Sequence, residues 1–282
     1  MLADTAPERL RRYNNIRVLR VRRTEALTPR MRRIVLGGEE IEGFGEGPNI
    51  KLLIPPQGLA EPEWPMKAPD GRPIWPEEPK RPAVRTYSVR SFDAAAGELT
   101  VDFVLHGKDG PAANWAARAR PGDRIGVGGP GGRSLGAASR YLFAGDQSAL
   151  PAIAWMLERL PSAASGTAFI EIAGPEEEQP LSTRAAVDVV WLHRNGAESG
   201  RSGLLERAVR AEPWIGNDDI FVWVAGESSS VRAIRAYLRD ERRLDRRQFL
   251  VIGYWRYGMS EPDYKKAYNN DRDEDYFLGA LT

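Results

Sequence analysis

The chain has 282 residues, 42% of them hydrophobic, which is enough for two domains with real cores. Its 40 Lys and Arg residues balance 39 Asp and Glu residues, and a net charge of +1 gives no electrostatic reason to expect nucleic acid as a partner. Cysteine is absent, which excludes disulfides, thiolate metal ligands and a thiol nucleophile, and only two histidines could serve a metal.

The chain shows no signal of export or membrane insertion. The first residues, MLADTAPERLRRYNN, lack the apolar core of a signal peptide, and the apolar runs fall far below the roughly 18 residues of a membrane span. We therefore expect a cytoplasmic protein, and a monomer.

The first half is predicted to be β-structure with one short helix. Apolar and polar residues alternate in runs typical of half-exposed antiparallel strands. The predicted strands are 16–22, 31–36, 49–54, 84–90, 98–106 and 125–127, and the predicted helix is 112–119. This pattern favours a small antiparallel β-barrel.

A proline-rich segment, residues 55–82, interrupts these strands. It contains nine of the 21 prolines, which at that density can neither extend a helix nor donate to a sheet. Trp64 and Trp75 suggest that the segment packs against something, as a lid over a site or as a protein-docking surface.

In the second half, strands alternate with helices. The predicted strands are 141–145, 168–173, 188–192, 220–225 and 249–254, with amphipathic helices at 149–160 and 228–240. Alternation of this kind predicts a doubly wound α/β domain with a parallel sheet. We place the domains at 1–137 and 138–282, and the charged tail from 259 onward either caps the sheet or stays loose.

The hexapeptide Arg85-Thr86-Tyr87-Ser88-Val89-Arg90 is the most informative local sequence. On a strand, Arg85 and Tyr87 share one face, while Ser88 lies on the other. A guanidinium that grips phosphate beside a ring that stacks on a flat heterocycle suits a flavin. The alternative is an ordinary strand with solvated arginines.

The turn Gly110-Pro111-Ala112 opens the predicted helix 112–119. The first N–H groups of a helix lack intrahelical acceptors and favour an anion, so a pyrophosphate could bind here. A plain turn into a helix explains the sequence equally well.

Two polar segments follow parallel strands in the second half. Asp146 and Ser148 come after the first strand, and Ala225-Gly226-Glu227 ends the fourth. Ligands of open α/β sheets bind at such strand ends. The G-x-G-x-x-G fingerprint is absent, however, and Asp146 or Ser148 could instead cap the following helix.

These motifs occur in an order that resembles a known family. To the segments above the chain adds Lys51-Leu52-Leu53, Val101–Gly107, Trp115-Ala116, Pro121-Gly122-Asp123, Gly129-Pro130, Ala144-Gly145-Asp146, Ala149–Ala152, Trp191–Arg194 and Gly253-Tyr254-Trp255-Arg256. Over roughly residues 15–258 the chain resembles the siderophore-interacting proteins, FAD-binding ferric-siderophore reductases of the ferredoxin–NADP reductase superfamily.

The resemblance implies three sets of site residues. The FAD set is Arg85, Thr86, Tyr87, Ser88, Asp102, Val104, His106, Gly110, Pro111, Ala112, Trp115 and Trp255. The nicotinamide set is Asp146, Ser148, Ala225, Gly226 and Glu227. The set for an anionic ferric siderophore is Lys51, Arg133 and Arg256.

Each set has an alternative explanation. His106 could be satisfied by Asp102 on the same strand face, and the three basic residues could simply be solvated. Asp146 and Glu227 favour ribose hydroxyls, hence NADH over NADPH, although Arg194 or Arg232 could reverse that preference.

The expected activity is electron transfer from NADH or NADPH, or from a ferredoxin, through FAD to a ferric siderophore, which releases Fe(II). It requires no protein nucleophile, general base or resident metal. The alternatives are a general flavin reductase without a siderophore role, and a siderophore-binding flavoprotein that uses another donor or acts as a non-catalytic carrier.

Overall fold

The structure, a computed structural model, describes residues 16–59, 61–106, 110–133, 135–214 and 219–271. Within these residues the chain divides into two compact units. The first unit runs to residue 25 and continues over 32–132, and the second comprises 26–31 and the residues from 133 onward.

The first unit is built on a seven-stranded sheet. Its strands are β1 (Arg17–Thr28), β2 (Met31–Gly37), β3 (Asn49–Ile54), β6 (Ala83–Ser88), β7 (Ser91–Asp93), β8 (Glu98–Val104) and β9 (Arg124–Gly131), in the order β6-β3-β9-β1-β2-β8-β7. The terminal strands β6 and β7 are separated by only two residues, and the Arg90 amide donates to the Thr100 carbonyl at 3.0 Å. The recorded pairs β1–β9, β3–β6, β3–β9 and β7–β8 are antiparallel, as predicted for the first half, and β6 and β7 stand at the two ends of the strand order.

Burial in this sheet differs from the predicted half-exposed strands. β1 alternates as expected, but in β8 Leu99, Val101 and Phe103 are fully buried while Thr100 and Asp102 on the other face are also buried. β8 ends at Val104, so the prediction that His106 lies on this strand is wrong. β9 runs on through the glycines that were expected to end it, because β3 pairs with Gly128 and Gly131.

The proline-rich segment carries a two-strand hairpin, β4 (Met66–Lys67) with β5 (Pro73–Ile74), and its aromatics contact the rest of the unit. Trp64 lies over Gly126 of β9 so closely that a Cβ there would be 2.9 Å from the indole. Trp75 stacks with the Arg81 guanidinium at 5.0 Å. The described part of the unit also contains the helix α1 (Pro111–Arg118).

The second unit contains a five-stranded parallel sheet. Its strands are β10 (Arg140–Asp146), β11 (Ser165–Ile172), β12 (Ala186–His193), β13 (Ile220–Glu227) and β14 (Phe249–Trp255), in the order β12-β11-β10-β13-β14. The chain winds outward from β10 in one direction and then from β13 in the other. The predicted doubly wound fold is thus confirmed, and its switch point lies between β10 and β13.

Among the residues that the structure describes, four α-helices accompany this sheet: α2 (Leu150–Leu157), α3 (Leu204–Ala211), α4 (Ser228–Ala236) and α5 (Glu261–Tyr268). α2 ends three residues before its predicted end at 160, and α4 passes into a π-helical turn, Tyr237–Glu241. Of the two possibilities for the tail, part of it packs, because α5 buries Tyr264. Among the described residues no helix is long and apolar enough to cross a membrane.

Candidate functional site

Arg85 and Tyr87 lie on one face of β6, as their spacing predicts. In the register with β3, Arg85 is opposite Leu52 and Tyr87 is opposite Ile50. Opposed residues of an antiparallel pair share a face, and Leu52 and Ile50 are buried. Arg85 and Tyr87 are nevertheless only half-buried, so this end of the face remains accessible to a ligand.

Tyr87 belongs to a row of three aromatic rings. Its centroid is 4.5 Å from that of Phe103 on β8, and Phe103 is 5.8 Å from Trp115 on α1. Phe103 therefore braces the ring expected to stack on a flavin. Phe103 was not among the predicted site residues, although its place on the apolar face of β8 was a usable signal.

Thr86 and Ser88 occupy the other face of β6, opposite Lys51 and Asn49 of β3. The Lys51 ammonium donates to the Thr86 hydroxyl, which joins a predicted substrate residue to a predicted cofactor residue. Among the described residues β6 is an edge strand of the sheet, and its Tyr87 ring contacts Phe103 of β8. A planar ligand along this edge could reach side chains of both faces and the strand's backbone groups.

Three other predicted cofactor residues lie on or just after β8. Asp102 is buried and accepts two hydrogen bonds of 2.8 Å from Arg33, with Arg90 at 3.9 Å. Its charge is thus balanced within the protein. Val104 is half-buried at the strand end, and His106 is exposed beyond it.

Gly110, Pro111 and Ala112 begin α1 as expected. Gly110 is the N-cap in an extended conformation and Pro111 takes the first helical position. Ala112, Ala113 and Trp115 are buried. The small side chains leave the helix terminus open to an anion.

The first unit therefore fits FAD. A half-buried phenol braced by an aromatic row, a guanidinium two residues away on the same face, and a helix terminus lined by alanines supply surfaces for a flat ring and for phosphates. No metal-binding group of three His, Asp or Glu side chains occurs among the described residues.

In the second unit the predicted nicotinamide residues meet at the switch point of the sheet. Asp146 ends β10 and is buried, with both carboxylate oxygens engaged. Oδ1 accepts from the amide of Ser148 at 2.9 Å and from its hydroxyl at 2.5 Å. Oδ2 accepts from the Glu227 amide at 2.9 Å and from the Trp255 indole at 2.7 Å.

These bonds give Asp146 a role in joining strand ends. Burial raises the pKa of the Asp146 carboxyl, and the donors from Ser148 and Trp255 oppose that rise. Trp255 was predicted as a FAD contact. In the structure its indole, at the end of β14, donates a hydrogen bond to the Asp146 carboxylate. Neither Asp146 nor Ser148 is the N-cap of α2, since that position is Ala149.

Glu227 is the residue that caps a helix. Its carboxylate accepts from the amides of Ser229 at 2.6 Å and Ser230 at 3.4 Å, at the start of α4, and from the amide of Tyr257. Gly226 is required at the neighbouring position, because a Cβ there would be 2.7 Å from Oδ2 of Asp146.

A loop that the sequence analysis missed, residues 194–203, lies along the same edge of the sheet. Ser202 donates to Glu171 of β11 at 2.7 Å, and Gly200 packs closely against Glu227 and Trp255. Burial, and then the charge of Asp146, raise the pKa of Glu171. Glycines 196, 200 and 203, all with positive φ, were the available signal of a tightly folded loop.

The predicted substrate residues occupy three separate elements. Lys51 is exposed on β3, and Arg133 is half-buried just after β9. Arg256 follows β14, donates to the Ser228 hydroxyl at 2.9 Å and stacks on Tyr268 of α5 at 4.3 Å. Its guanidinium is therefore positioned by the C-terminal helix.

Comparisons with known proteins agree with this architecture. The model of the siderophore-interacting FAD-binding domain matches residues 20–134, and the model of the siderophore-interacting protein matches residues 138–258. The chain belongs to the siderophore-interacting protein family. Its first unit accordingly contains a FAD-binding domain, as the resemblance of the motifs predicted.

Three relatives illustrate the family. The chain is 34% identical over 266 residues to the ferric vibriobactin reductase of Vibrio cholerae, covering 92% of this chain and 96% of that one. It is 32% identical over 260 residues to the NADPH-dependent ferric-chelate reductase of Escherichia coli, covering 88% and 96%. The crystal structure of a siderophore utilization protein from T. fusca matches with a TM-score of 0.78, 40% identity, and coverage of 89% and 97%.

Proposed function

We propose that this siderophore-interacting protein is a FAD-dependent reductase that passes electrons from NADH or NADPH to ferric siderophores. The observation that supports this proposal most directly is on β6, where Arg85 and Tyr87 share one face, both are half-buried, and the Tyr87 ring lies against Phe103. The reductase names of the Vibrio and Escherichia relatives support the same activity.

The proposed cofactor domain is 1–137 and the proposed donor domain is 138–282. In the first, Arg85 and the α1 terminus at Gly110–Ala112 would neutralise the pyrophosphate, and Tyr87 and Ser88 would bind the ring through a phenol face and a backbone amide. Further contacts to the cofactor would come from Thr86, Val104, His106 and Trp115.

Bound FAD supplies the ability to accept two electrons together and release them singly, which matches a hydride donor to Fe(III). The residues of the chain would bind and orient the cofactor and the substrate. Lys51, Arg133 and Arg256 would attract an anionic ferric chelate, and no side chain needs to donate or remove a proton. Fe(II) leaves because hard oxygen ligands bind it less tightly than Fe(III).

A second candidate is a siderophore-binding flavoprotein with a different electron donor, such as a ferredoxin. One observation favours it: the carboxylates predicted to bind the nicotinamide nucleotide already accept hydrogen bonds within the protein. A dinucleotide at this edge would have to displace bonds of Asp146 or Glu227, or bind outside them.

The test mixes purified protein, FAD, a ferric siderophore and an Fe(II) trap under anaerobic conditions. We expect bleaching of the flavin absorption on adding NADH or NADPH, followed by trapped Fe(II). Bleaching only with reduced ferredoxin would favour the second candidate. Absence of trapped Fe(II) with all three donors would disprove the reductase function.

A further inference from the structure

The loop between β12 and α3, residues 194–203, crosses the carboxyl edge of the parallel sheet. It leaves β12 at one end of the strand order and makes contact with β14 at the other end. Four strand spacings separate β12 from β14, roughly 19 Å, whereas ten extended residues span up to about 33 Å. This loop, called the strap below, is therefore long enough to lie across all five strand ends.

The strap contacts strand ends on both sides of the switch point. Ser202 donates to Glu171, near the end of β11, at 2.7 Å. A Cβ on Gly200 would lie 2.6 Å from Cγ of Glu227 on β13 and 3.0 Å from the Trp255 indole on β14. The strap thus packs on the edge at which ligands of open α/β sheets bind.

Three side chains form a latch that holds the strap beyond the end of β14. The Tyr257 hydroxyl donates to the Glu198 carboxylate at 2.5 Å, and the Arg201 guanidinium stacks on the Tyr257 ring at 4.2 Å. Arg201 also pairs with Glu198 at 3.6 Å. Glu198 and Arg201 are exposed, and exposed ion pairs contribute little net free energy, so this latch can open and close again.

Glycines with positive φ stand near both ends of the strap. Gly196, at 91°, and Gly203, at 66°, flank the segment that carries the latch residues. A Cβ on Gly196 would meet no atom of the described residues within 4 Å. Backbone without Cβ atoms at these two points can absorb the rotation that moves the strap as a unit.

We propose that the strap is an autoinhibitory gate on the donor site, an inference that rests on the proposed function. In the structure the strap lies over the edge where Asp146 and Glu227 were predicted to bind the nicotinamide nucleotide. A dinucleotide reaches this edge only when the latch releases, so its apparent affinity is reduced by the fraction of molecules in which the strap is open. Loosening the latch should therefore tighten binding, whereas removing a residue that contacts the ligand should weaken it.

The test loosens the latch at two places. Tyr257→Phe removes the hydroxyl but keeps the ring, and Glu198→Gln removes the charge that pairs with Arg201. The FAD-loaded protein is titrated by calorimetry with NAD⁺ and NADP⁺, which cannot reduce the flavin. We expect each variant to lower the Kd of the preferred dinucleotide about two- to fivefold. Glu206→Gln, which breaks the pair with Arg210 on α3 outside the strap, is the matched control and should leave this Kd unchanged.

Hydrogen exchange of the strap amides gives a readout that does not depend on activity. The amides of Ala197 and Arg201 donate to carbonyls of the strap at 3.0 Å and 3.1 Å. Both latch variants should speed exchange at these amides in the absence of dinucleotide. In the unchanged protein, saturating dinucleotide should speed it as well, because the bound form holds the strap open.

Two latch variants, each checked by thermal unfolding, guard against misfolding of either one. Dinucleotide binding that is weaker or unchanged in both variants would overturn the gate while the donor function stands. Exchange that slows on adding dinucleotide would also overturn it, since the strap would then close over the ligand. Binding by the latch variants alone would support the gate. Absence of binding in every protein would overturn the NADH- or NADPH-dependent function together with the gate.

Discussion

Asp146 illustrates at the scale of one residue why a polar side chain at a strand end is ambiguous in sequence. Its position correctly indicated the carboxyl end of the first parallel strand. Its partners could not be foreseen, because Glu227 and Trp255 lie 81 and 109 residues away. The carboxylate accepts four hydrogen bonds, which compensate for its burial and join the ends of β10, β13 and β14.

Asp146→Asn should therefore destabilise the protein. Each carboxylate oxygen accepts from two donors, so the Asn amide nitrogen would face two donors in either orientation of the side chain. These donors would lose their acceptor, which should lower the free energy of unfolding by about 2–4 kcal/mol. Chemical denaturation monitored by tryptophan fluorescence measures this. Asp188→Asn, on the exposed face of β12, is the control and should change stability by less than about 0.5 kcal/mol. Similar effects of the two variants would contradict the joining role.

Arg85 offers a second prediction at this scale. If its guanidinium binds phosphate, Arg85→Ala should weaken FAD and FMN roughly 10- to 100-fold but leave riboflavin, which has no phosphate, nearly unchanged. Calorimetric titration of the apoprotein with the three flavins gives the comparison. Arg247→Ala, a largely exposed arginine of the second unit, should affect none of them. Equal loss for riboflavin would show that Arg85 acts on the ring or the fold instead.

At the scale of elements, the predictions were correct where local periodicity determines the secondary structure. They failed where pairing with a distant strand determines the bounds or the burial of a strand. The alternation in β1, the five strands of the second half and its helices α2 and α4 were predictable from local periodicity, whereas α3 and α5 were not predicted. β9 runs on through Gly128, Gly129 and Gly131 because β3 pairs with it there, which no local propensity of glycine indicates. β8 was assigned one apolar face, but Arg33 makes burial of Asp102 possible on the other. The extent of β9 and the burial of Asp102 on β8 therefore depend on residues that are distant in sequence.

The docking of the proline-rich segment on β9 can be tested through Gly126. A Cβ at this position would be 2.9 Å from the Trp64 indole and 3.0 Å from Leu53. We expect Gly126→Ala to cost about 1–3 kcal/mol of stability through overpacking. In a Trp64→Ala background the added cost should fall to less than half, measured as a double-mutant cycle by urea denaturation. Additive effects would mean that Trp64 does not lie on β9 in solution.

Helix α5 supplies a prediction on pH. The Tyr264 phenol is buried and donates to Asp271 at 2.6 Å, and burial followed by this carboxylate raise the pKa of Tyr264 above its ordinary value of 10.0. The folded state therefore keeps the proton that the unfolded state releases above pH 10, and the stability contributed by Tyr264 declines as pH rises beyond that value.

Tyr264→Phe removes this titration. At pH 7 the variant should be less stable by about 1–3 kcal/mol, because the buried Asp271 loses a donor. The difference between the two proteins should shrink above pH 10. Denaturation at pH 7, 9 and 10.5 provides the measurement, with Tyr268→Phe, exposed on the same helix, as the control. A difference that stays constant with pH would refute the linkage.

At the scale of the whole molecule, the net charge of +1 is the small difference between 40 basic and 39 acidic side chains. Composition alone gave no hint of an anionic ligand. The order of motifs over both halves predicted the family and the two-domain fold, because each motif lies at a strand end or helix start that the fold needs. The roles of single cations were less accessible, since Arg256 is bound to Ser228 and Tyr268, and Lys51 to Thr86.

Lys51 provides the last prediction, on how the molecule selects its substrate. If its exposed ammonium attracts an anionic ferric chelate, Lys51→Ala should raise the KM for such a chelate roughly three- to fivefold, with little change in kcat and none in flavin affinity. The KM for a neutral ferric chelate should stay the same, and the effect should fade as ionic strength increases. Lys67→Ala, an exposed lysine on β4, controls for the loss of one charge elsewhere in the same unit. The measurement is steady-state Fe(II) trapping with both chelates at low and high salt. If Lys51 were purely structural, its loss would change the KM for both chelates alike.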